Sequence, residues 1–296
     1  MCAALTVVIP TYRREDVLLD TLADLIALPT PPAEILVIDQ TEQHQPETEQ
    51  RLGVLDAGGK IRWLRLPTPS ITAAMNRGLL EANCEIVLFL DDDIRCEPEL
   101  IAAHLAAHDS YPGALVAGRV IQPWEEGEDL PLDGPFRFSG LRPAWIGEFM
   151  GGNFSVSRAA ALQLGGFDEN FVRVAYRFEA EFAHRLRHSG GRIYFEPGAC
   201  LHHLKAAGGT RTFGDYLTTW KPDHAVGAYY HALRTRPGIG WLAVFLSRPF
   251  RAIATRHHLR RPWWIPVTWL AEGWGMLWAI RLAMAGPRYA TAGQSE

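Results

Sequence analysis

The sequence predicts an α/β fold: a mostly parallel open sheet flanked by helices, followed by a helical C-terminal extension. Three observations predict it. The runs "LTVVIP" (5–10), "AEILVID" (33–39) and "EIVLFLD" (85–91) are apolar without polar alternation, as strands covered on both faces must be. Apolar residues at helical spacing fill the intervals between them, which gives βαβ units. Beyond residue 213 the strand signals stop, and Pro and Gly separate helical stretches rich in Trp and Arg.

Taken in order, the first strand is followed by "REDVLLDTLADLIAL", in which Val17, Leu18, Leu22, Leu25 and Ile26 share one helical face and acids come early. After the second strand come "KIRWLRL" as a third, "SITAAMNRGLLEA" as a helix and "EIVLFLD" as a fourth strand. The pattern then becomes mixed. "PELIAAHLAAHDSY" reads as a helix, "GALVAGRVIQP" as a strand and "EEGEDLPLDGP" as an acidic loop. "MGGNFSVSRAAALQLGGF" reads as a strand turning into a helix, and "AEFAHRLRHSGG" as an amphipathic helix closed by glycine. "RIYFEPGACLHHL" reads as a strand pair or one bent strand.

Composition narrows the class. With 296 residues, 48% hydrophobic and 21% charged, the chain can bury a sizeable core. Residues 1–210 carry 18 Lys/Arg against 29 Asp/Glu, whereas 211–296 carry 11 against 4, so an acidic body bears a basic tail. A basic, Trp-rich tail suits an anionic membrane surface better than nucleic acid. Cys2, Cys84, Cys96 and Cys200 have neither zinc-site nor disulfide spacing, and the amino terminus lacks the pattern of a signal peptide. Both point to a cytoplasmic location, peripheral on the inner face of the cell membrane.

The functional signal is "VLFLDDD". Three like charges, Asp91, Asp92 and Asp93, end a buried strand where an open sheet presents its binding crevice. A divalent cation relieves such crowding, and Mg2+ or Mn2+ held by carboxylates completes its shell with waters and phosphate oxygens. The chain has no GxGxxG after the first strand and no GxxxxGK[ST], which argues against dinucleotide dehydrogenases and P-loop enzymes. A solvated acidic turn is the plain alternative.

"VVIPTYRRE", "ILVIDQT", "SITAAMNRGL", "VLFLDDD", "GGNFSVSR" and "RLRHSGGRIYFEP", in this order, resemble the family 2 glycosyltransferases of the GT-A fold over residues 4–212. The resemblance implies a catalytic domain over 1–212, with a nucleotide-sugar half (1–95) and an acceptor half (96–212), and a membrane-associating region over 213–296. It implies that Pro10, Thr11 and Tyr12 line the nucleotide pocket and that Asp39 accepts a hydrogen bond from the base. Asp91 falls near the ribose and the metal, Asp93 ligates the metal, and Asp92 occupies the variable middle position. Asn76 and Gly78 match an Asn-x-Gly motif, Asn76 as a donor contact, while Met75 stands where many members have Arg. The catalytic base falls on Glu179, with Glu181 two residues on and Phe178 in place of the family's first acid. His203 completes the metal shell, with His202 as the alternate because strand alternation turns only one inward. Lys205 and Arg211 are phosphate contacts, and Gly208 and Gly209 hinge a closing loop. Trp145, Asn153 and Asp168 fall in acceptor-side segments.

The implied reaction is an inverting, direct displacement: a hydroxyl of a lipid-linked or polysaccharide acceptor attacks a nucleotide diphosphate sugar, with a carboxylate base and Mg2+ or Mn2+. Two other classes use the same features, a sugar nucleotidyltransferase and an inactive GT-A-like membrane scaffold. In the tail, 262–280 contain one charge, Glu272, and five tryptophans lie within 263–278. That length barely reaches the roughly 20 residues of a spanning helix. Helices lying in the membrane plane are favoured over a span, with packing on the catalytic domain as a third possibility.

Overall fold

The computed structural model describes residues 4–127, 134–209 and 217–290. Four strands lie side by side in parallel: β1 (Leu5–Thr11), β2 (Glu34–Asp39), β3 (Arg62–Arg65) and β4 (Ile86–Leu90), ordered β3-β2-β1-β4. The apolar runs are covered on both faces, as anticipated. Val7 and Ile9 face α1 (Asp16–Ala27) with Leu18, Leu22 and Leu25, while Val8 faces α3 (Ile71–Glu81) with Met75 and Leu79. Gly78 lets α3 lie directly on β1, because a Cβ there would overlap the Val8 side chain.

Beyond β4 the sheet is mixed. β8 (Asn153–Ser157) inserts antiparallel between β4 and β6 (Leu115–Ile121), and the long β9 (Ile193–His203) runs parallel to β6. The short β5 (Ile94–Cys96) and β7 (Ala144–Ile146) pair antiparallel with β9. The "mostly parallel" expectation therefore describes the first four strands, and antiparallel pairing enters with β8. β9 is one bent strand, with a register shift against β6 between Gly118 and Arg119. Around the sheet lie α2 (Pro46–Ala57), α4 (Leu100–Ser110), α5 (Arg158–Gln163) and α6 (Phe178–His188).

The C-terminal region consists of α7 (Asp223–Thr235), α8 (Leu242–Ile253), α9 (Arg256–Arg260) and α10 (Ile265–Ala285). It packs on the sheet domain. α10 crosses α7 so closely at Gly275 that a Cβ would overlap Ala225, and Gly227 of α7 abuts the Tyr176 backbone. The chain then returns: Ala290 N–H donates to Gly165 O at 2.9 Å, and Arg288 N–H donates to Asp168 Oδ1 at 3.0 Å. Glu272 turns inward, accepting from Tyr229 OH at 2.7 Å beside Arg248 Nε at 3.1 Å. Among the described residues no helix is long and apolar enough to cross a membrane. α10 nevertheless leaves Trp269, Leu270, Trp274, Leu277 and Met284 exposed, and α8 leaves Leu246 and Phe250 exposed.

Candidate active site

The carboxyl ends of β1 and β4 open into a cleft of ≈ 390 Å³, closed by the segment before β8, the start of α6 and the chain after β9. Sheet register puts the acidic triplet there. Leu90 pairs with Asn153, so Asp91 lies beside Gly152, and Ile94 pairs with His203, so the end of β9 meets the end of β4. Leu204 N–H donates to Asp93 O at 2.8 Å and fixes this meeting.

The three aspartates have different surroundings. Asp91 is half-exposed in the cleft. Asp92 turns under the sheet end, accepting from Thr11 Oγ1 at 2.7 Å and from Arg14 Nε at 3.2 Å. Asp93 accepts from Arg14 Nη2 at 3.3 Å and from Ala206 N–H at 2.9 Å, and lies 3.1 Å from His203 Nε2. Arg14 also donates to the carbonyls of Ala206 and Ala207, both at 2.6 Å, so one buried guanidinium ties the triplet to the chain after β9. Burial pushes the Asp92 carboxyl up to about 7 in spite of Arg14 and Thr11. Asp93 is held below the usual carboxylate range: burial opposes this, but the His203 hydrogen bond and charge, with Arg14, outweigh it. Crowding among the aspartates is thus relieved largely by Arg14 and His203, and does not by itself demand a metal.

A metal nevertheless fits. Asp91, Asp93 and His203 each offer a ligand atom, and these atoms lie within 4.8 Å of one another. Two carboxylate oxygens and an imidazole nitrogen form a donor set that Mn2+ accepts. Of the two histidines, His203 faces this cluster, while His202 pairs with Glu97 at 2.9 Å and Glu126 at 3.2 Å.

Glu179 reaches the cleft from the first turn of α6. A Cβ on Gly152 would overlap the Asp91 carboxylate, and one on Gly151 would stand 3.0 Å from Glu179 Oε1, so the glycine pair fits between the two acids. Phe178 is packed in the core against Phe167, and Glu181 is held by Arg185 at 2.8 Å through both oxygens. The loop before α6 has left-handed backbone at Arg173, Ala175 and Arg177, a conformation costing about 1 kcal/mol or more per non-glycine residue and concentrated at functional sites. It presents Tyr176 and Arg177 to the cleft.

Pro10, Thr11, Tyr12, Lys205, Gly208 and Gly209 also line the cleft. Lys205, Gly208 and Gly209 have positive φ, so the chain curls back over Arg14. Arg211 lies outside the described residues.

Five expected contacts are placed otherwise. Asp39 is sealed beneath the cleft, its carboxylate accepting from Thr41 N–H, Trp63 Nε1 and His44 Nε2 at 2.8–2.9 Å. Its neighbour Gln40 lines the cleft instead. Asn76 braces α3 to the loop before α6, bonding both backbone groups of Phe167 at 2.8 and 2.9 Å. Asn153 is fully buried and fills the β6–β9 bulge: it donates to Arg119 O and Ala199 O and accepts from His104 Nε2 at 2.9 Å. Asp168 is buried against Tyr230 OH at 2.7 Å and the Arg288 backbone. Trp145 stands on β7 outside the cleft lining, with Arg192 3.5 Å over its ring. The residues that sequence reasoning missed are Arg14, Gln40, Tyr176 and Arg177. Arg14 was visible in "TYRRE", but nothing in the text distinguishes it from Arg13, which turns out to Glu42.

The family model for glycosyl transferase family 2 matches residues 6–165, more than half of the chain. The chain belongs to glycosyl transferase family 2. The match ends before Glu179 and His203, so it covers the Asp triplet but not the base or the histidine. No curated protein sequence matches the family 2 chain significantly. Among solved structures, it is similar to GalNAc-T7 with UDP, GalNAc and Mn2+ (TM-score 0.59, 16% identity), over 79% of this chain and 50% of that one. The chain thus spans half the length of that neighbour. It is also similar to the mannosyltransferase PcManGT from Pyrobaculum calidifontis in complex with GDP-Man and Mn2+ (0.55, 16%; 96% of this chain, 75% of that one). A third neighbour is S. aureus TarS 1–349 in complex with UDP-GlcNAc (0.57, 16%; 89% and 79%). At this identity the likeness establishes the GT-A fold.

Proposed function

We propose that this chain transfers a sugar from a nucleotide diphosphate sugar to an acceptor hydroxyl, with inversion, using Glu179 as general base and Mg2+ or Mn2+ at Asp91, Asp93 and His203. The observation that carries the reading is that one cleft joins the Asp91–Asp93–His203 cluster to a carboxylate from a different element across the Gly151–Gly152 pair. When bound, the cation supplies positive charge to the departing diphosphate.

The chain's own residues do the rest. Pro10, Thr11 and Tyr12 wall the nucleotide end, and Lys205 adds a cation beside the phosphates. Glu179 takes the proton of the acceptor hydroxyl as that oxygen bonds to the anomeric carbon. The bond from that carbon to the diphosphate oxygen breaks at the same time, and the nucleoside diphosphate leaves. A single displacement inverts the anomeric centre. The solved neighbours that hold UDP, GDP-Man or UDP-GlcNAc support a nucleotide-sugar donor.

The C-terminal helices support docking on the inner face of a membrane. The exposed apolar residues on α8 and α10, with Arg256, Arg260 and Arg261 nearby in sequence, match an interfacial helix surface facing anionic headgroups. Glu272, which would oppose a span, lies inside the helical packing.

A thermal-shift panel of sugar nucleotides with and without Mn2+ tests the donor assignment. A bound donor raises Tm with the logarithm of its excess over Kd. At least one donor raises Tm in Mn2+ and not in EDTA. If no nucleotide moves Tm, the reading fails.

A further inference from the structure

The chain has a second, larger cavity, ≈ 700 Å³, walled by α7, α8 and α10 and by the loop before α6. It adjoins the first: Tyr176 and Arg177 line both. Its charge is one-sided. Among the described residues, Arg177, Lys221, Arg236, Arg248 and Arg251 face it against a single acid, Glu272, which is already engaged by Tyr229 OH and Arg248. Among the described residues, Lys221, Arg236 and Arg251 have no carboxylate within ion-pair distance, and Arg177 reaches only the exposed Glu148, at 3.5 Å. His231 in the same wall is pushed down to about 4, by burial first and then by Arg177, His184 and Arg236.

Lys221, Arg236 and Arg251 are exposed and Arg177 and Arg248 are partly buried, a set of one sign that draws a polyanion toward the cavity. Guanidinium groups suit phosphate oxygens, which they bind through paired N–H donors. A neutral glycan would call for flat aromatic faces; among the described residues, the aromatic rings lining this cavity are Tyr176 and two histidines. Next to the cavity the surface turns apolar. Trp220, adjacent to Lys221, stacks on Trp274 at 5.0 Å with both rings about half-exposed, and Phe250, adjacent to Arg251, is exposed.

Resting on the glycosyl-transfer reading above, we infer that this cavity holds the phosphate or diphosphate of a lipid-linked acceptor, its lipid lying over the Trp220–Trp274 and Phe250 surface. The shared Tyr176 and Arg177 place the acceptor's sugar end toward Glu179. The acceptor class is thereby a glycosyl phospholipid, and not a soluble polysaccharide.

The test is calorimetric titration of the full chain, in EDTA so that the acidic cluster holds no cation, with farnesyl diphosphate, inorganic pyrophosphate and farnesol as probes. Farnesyl diphosphate binds more tightly than either fragment. The double substitution Arg236→Gln with Arg251→Gln weakens it at least tenfold, and in a parallel titration with Mn2+ in place of EDTA, saturating UDP or GDP does not displace it. Equal affinity in the double variant, displacement by UDP or GDP, or pyrophosphate binding as tightly as farnesyl diphosphate overturns the inference. The Mn2+-dependent Tm shift with the sugar nucleotide is unchanged in the double variant, which also shows that it is folded. Loss of that shift in the unsubstituted chain marks failure of the donor assignment, a result distinct from the three above.

Discussion

In the sheet domain the charges near the core are buried beside a partner: Arg14 with Asp92 and Asp93, Glu181 with Arg185, Asp39 with His44 and Trp63. The C-terminal helices, apart from Glu272 with Arg248, leave large apolar side chains outside and, among the described residues, several basic groups without an acid. Paired, buried charge fixes geometry to the tolerance that chemistry at a cleft needs. Exposed apolar surface and uncompensated positive charge are instead what a partner covers. On the function proposed above, the first region carries the reaction and the second acceptor and membrane recognition.

The sharpest break of this division is at Glu179. Glu179→Gln keeps the shape of α6 and removes the base, so kcat falls by about 10²–10⁴-fold, the usual contribution of general-base catalysis, while the donor-induced Tm shift persists. Turnover at the normal rate would move the base elsewhere.

Next is Arg14→Ala, which leaves two buried carboxylates without their guanidinium. Stability falls by about 3–5 kcal/mol, read by denaturant unfolding at constant m-value. A loss below about 1 kcal/mol would mean that Arg14 is an ordinary surface cation.

A third measurement follows the buried histidines. Burial pushes His104 down to about 3 and His108 to about 4, in a chain where His104 and His108 both bond Ser155. Both folded-state values lie below the unfolded value, so the unfolded chain binds more protons and stability is lost as pH falls below about 6.5. The slope is about 1.4 kcal/mol per pH unit per histidine. Asp92, raised to about 7, works in the opposite direction but is one group against three, because His231 is pushed down to about 4 as well. Tm is therefore lower at pH 5.5 than at pH 7, and a flat profile contradicts the buried, neutral assignment.

The smallest effect lies on the tail. Arg260→Gln with Arg261→Gln weakens sedimentation with phosphatidylglycerol vesicles by about 1 kcal/mol per arginine and leaves Tm unchanged. Loss of Tm in place of vesicle binding would return these residues to internal packing.

The parallel half of the fold was legible because β1, β2 and β4 are covered on both faces and so are written as unbroken apolar runs. α2 was not, since only Thr48 and Leu52 of its twelve residues are buried and its pattern is correspondingly faint. β5 and β7 have three residues each, too short for any period to register. At the site, Asp91, Asp93, His203 and Glu179 could be placed from the order of motifs. Asp39, Asn76, Asn153 and Asp168 could not, because a polar residue next to a site and one in it are spelled alike. What separates them is their partners: His44 for Asp39, Phe167 for Asn76, the bulge carbonyls for Asn153 and Tyr230 for Asp168. Those contacts span 5 to 91 positions in sequence and exist only after folding.

In the function proposed above, Asp91, Asp93 and His203 hold a divalent cation that meets a nucleoside diphosphate. Electron paramagnetic resonance titration of Mn2+ into the chain, with and without UDP or GDP, measures this directly. One Mn2+ is expected to bind more tightly when the nucleotide is present, and Asp93→Asn and His203→Ala each to weaken it at least tenfold. Mn2+ binding that ignores both substitutions, or that no nucleotide strengthens, would contradict it.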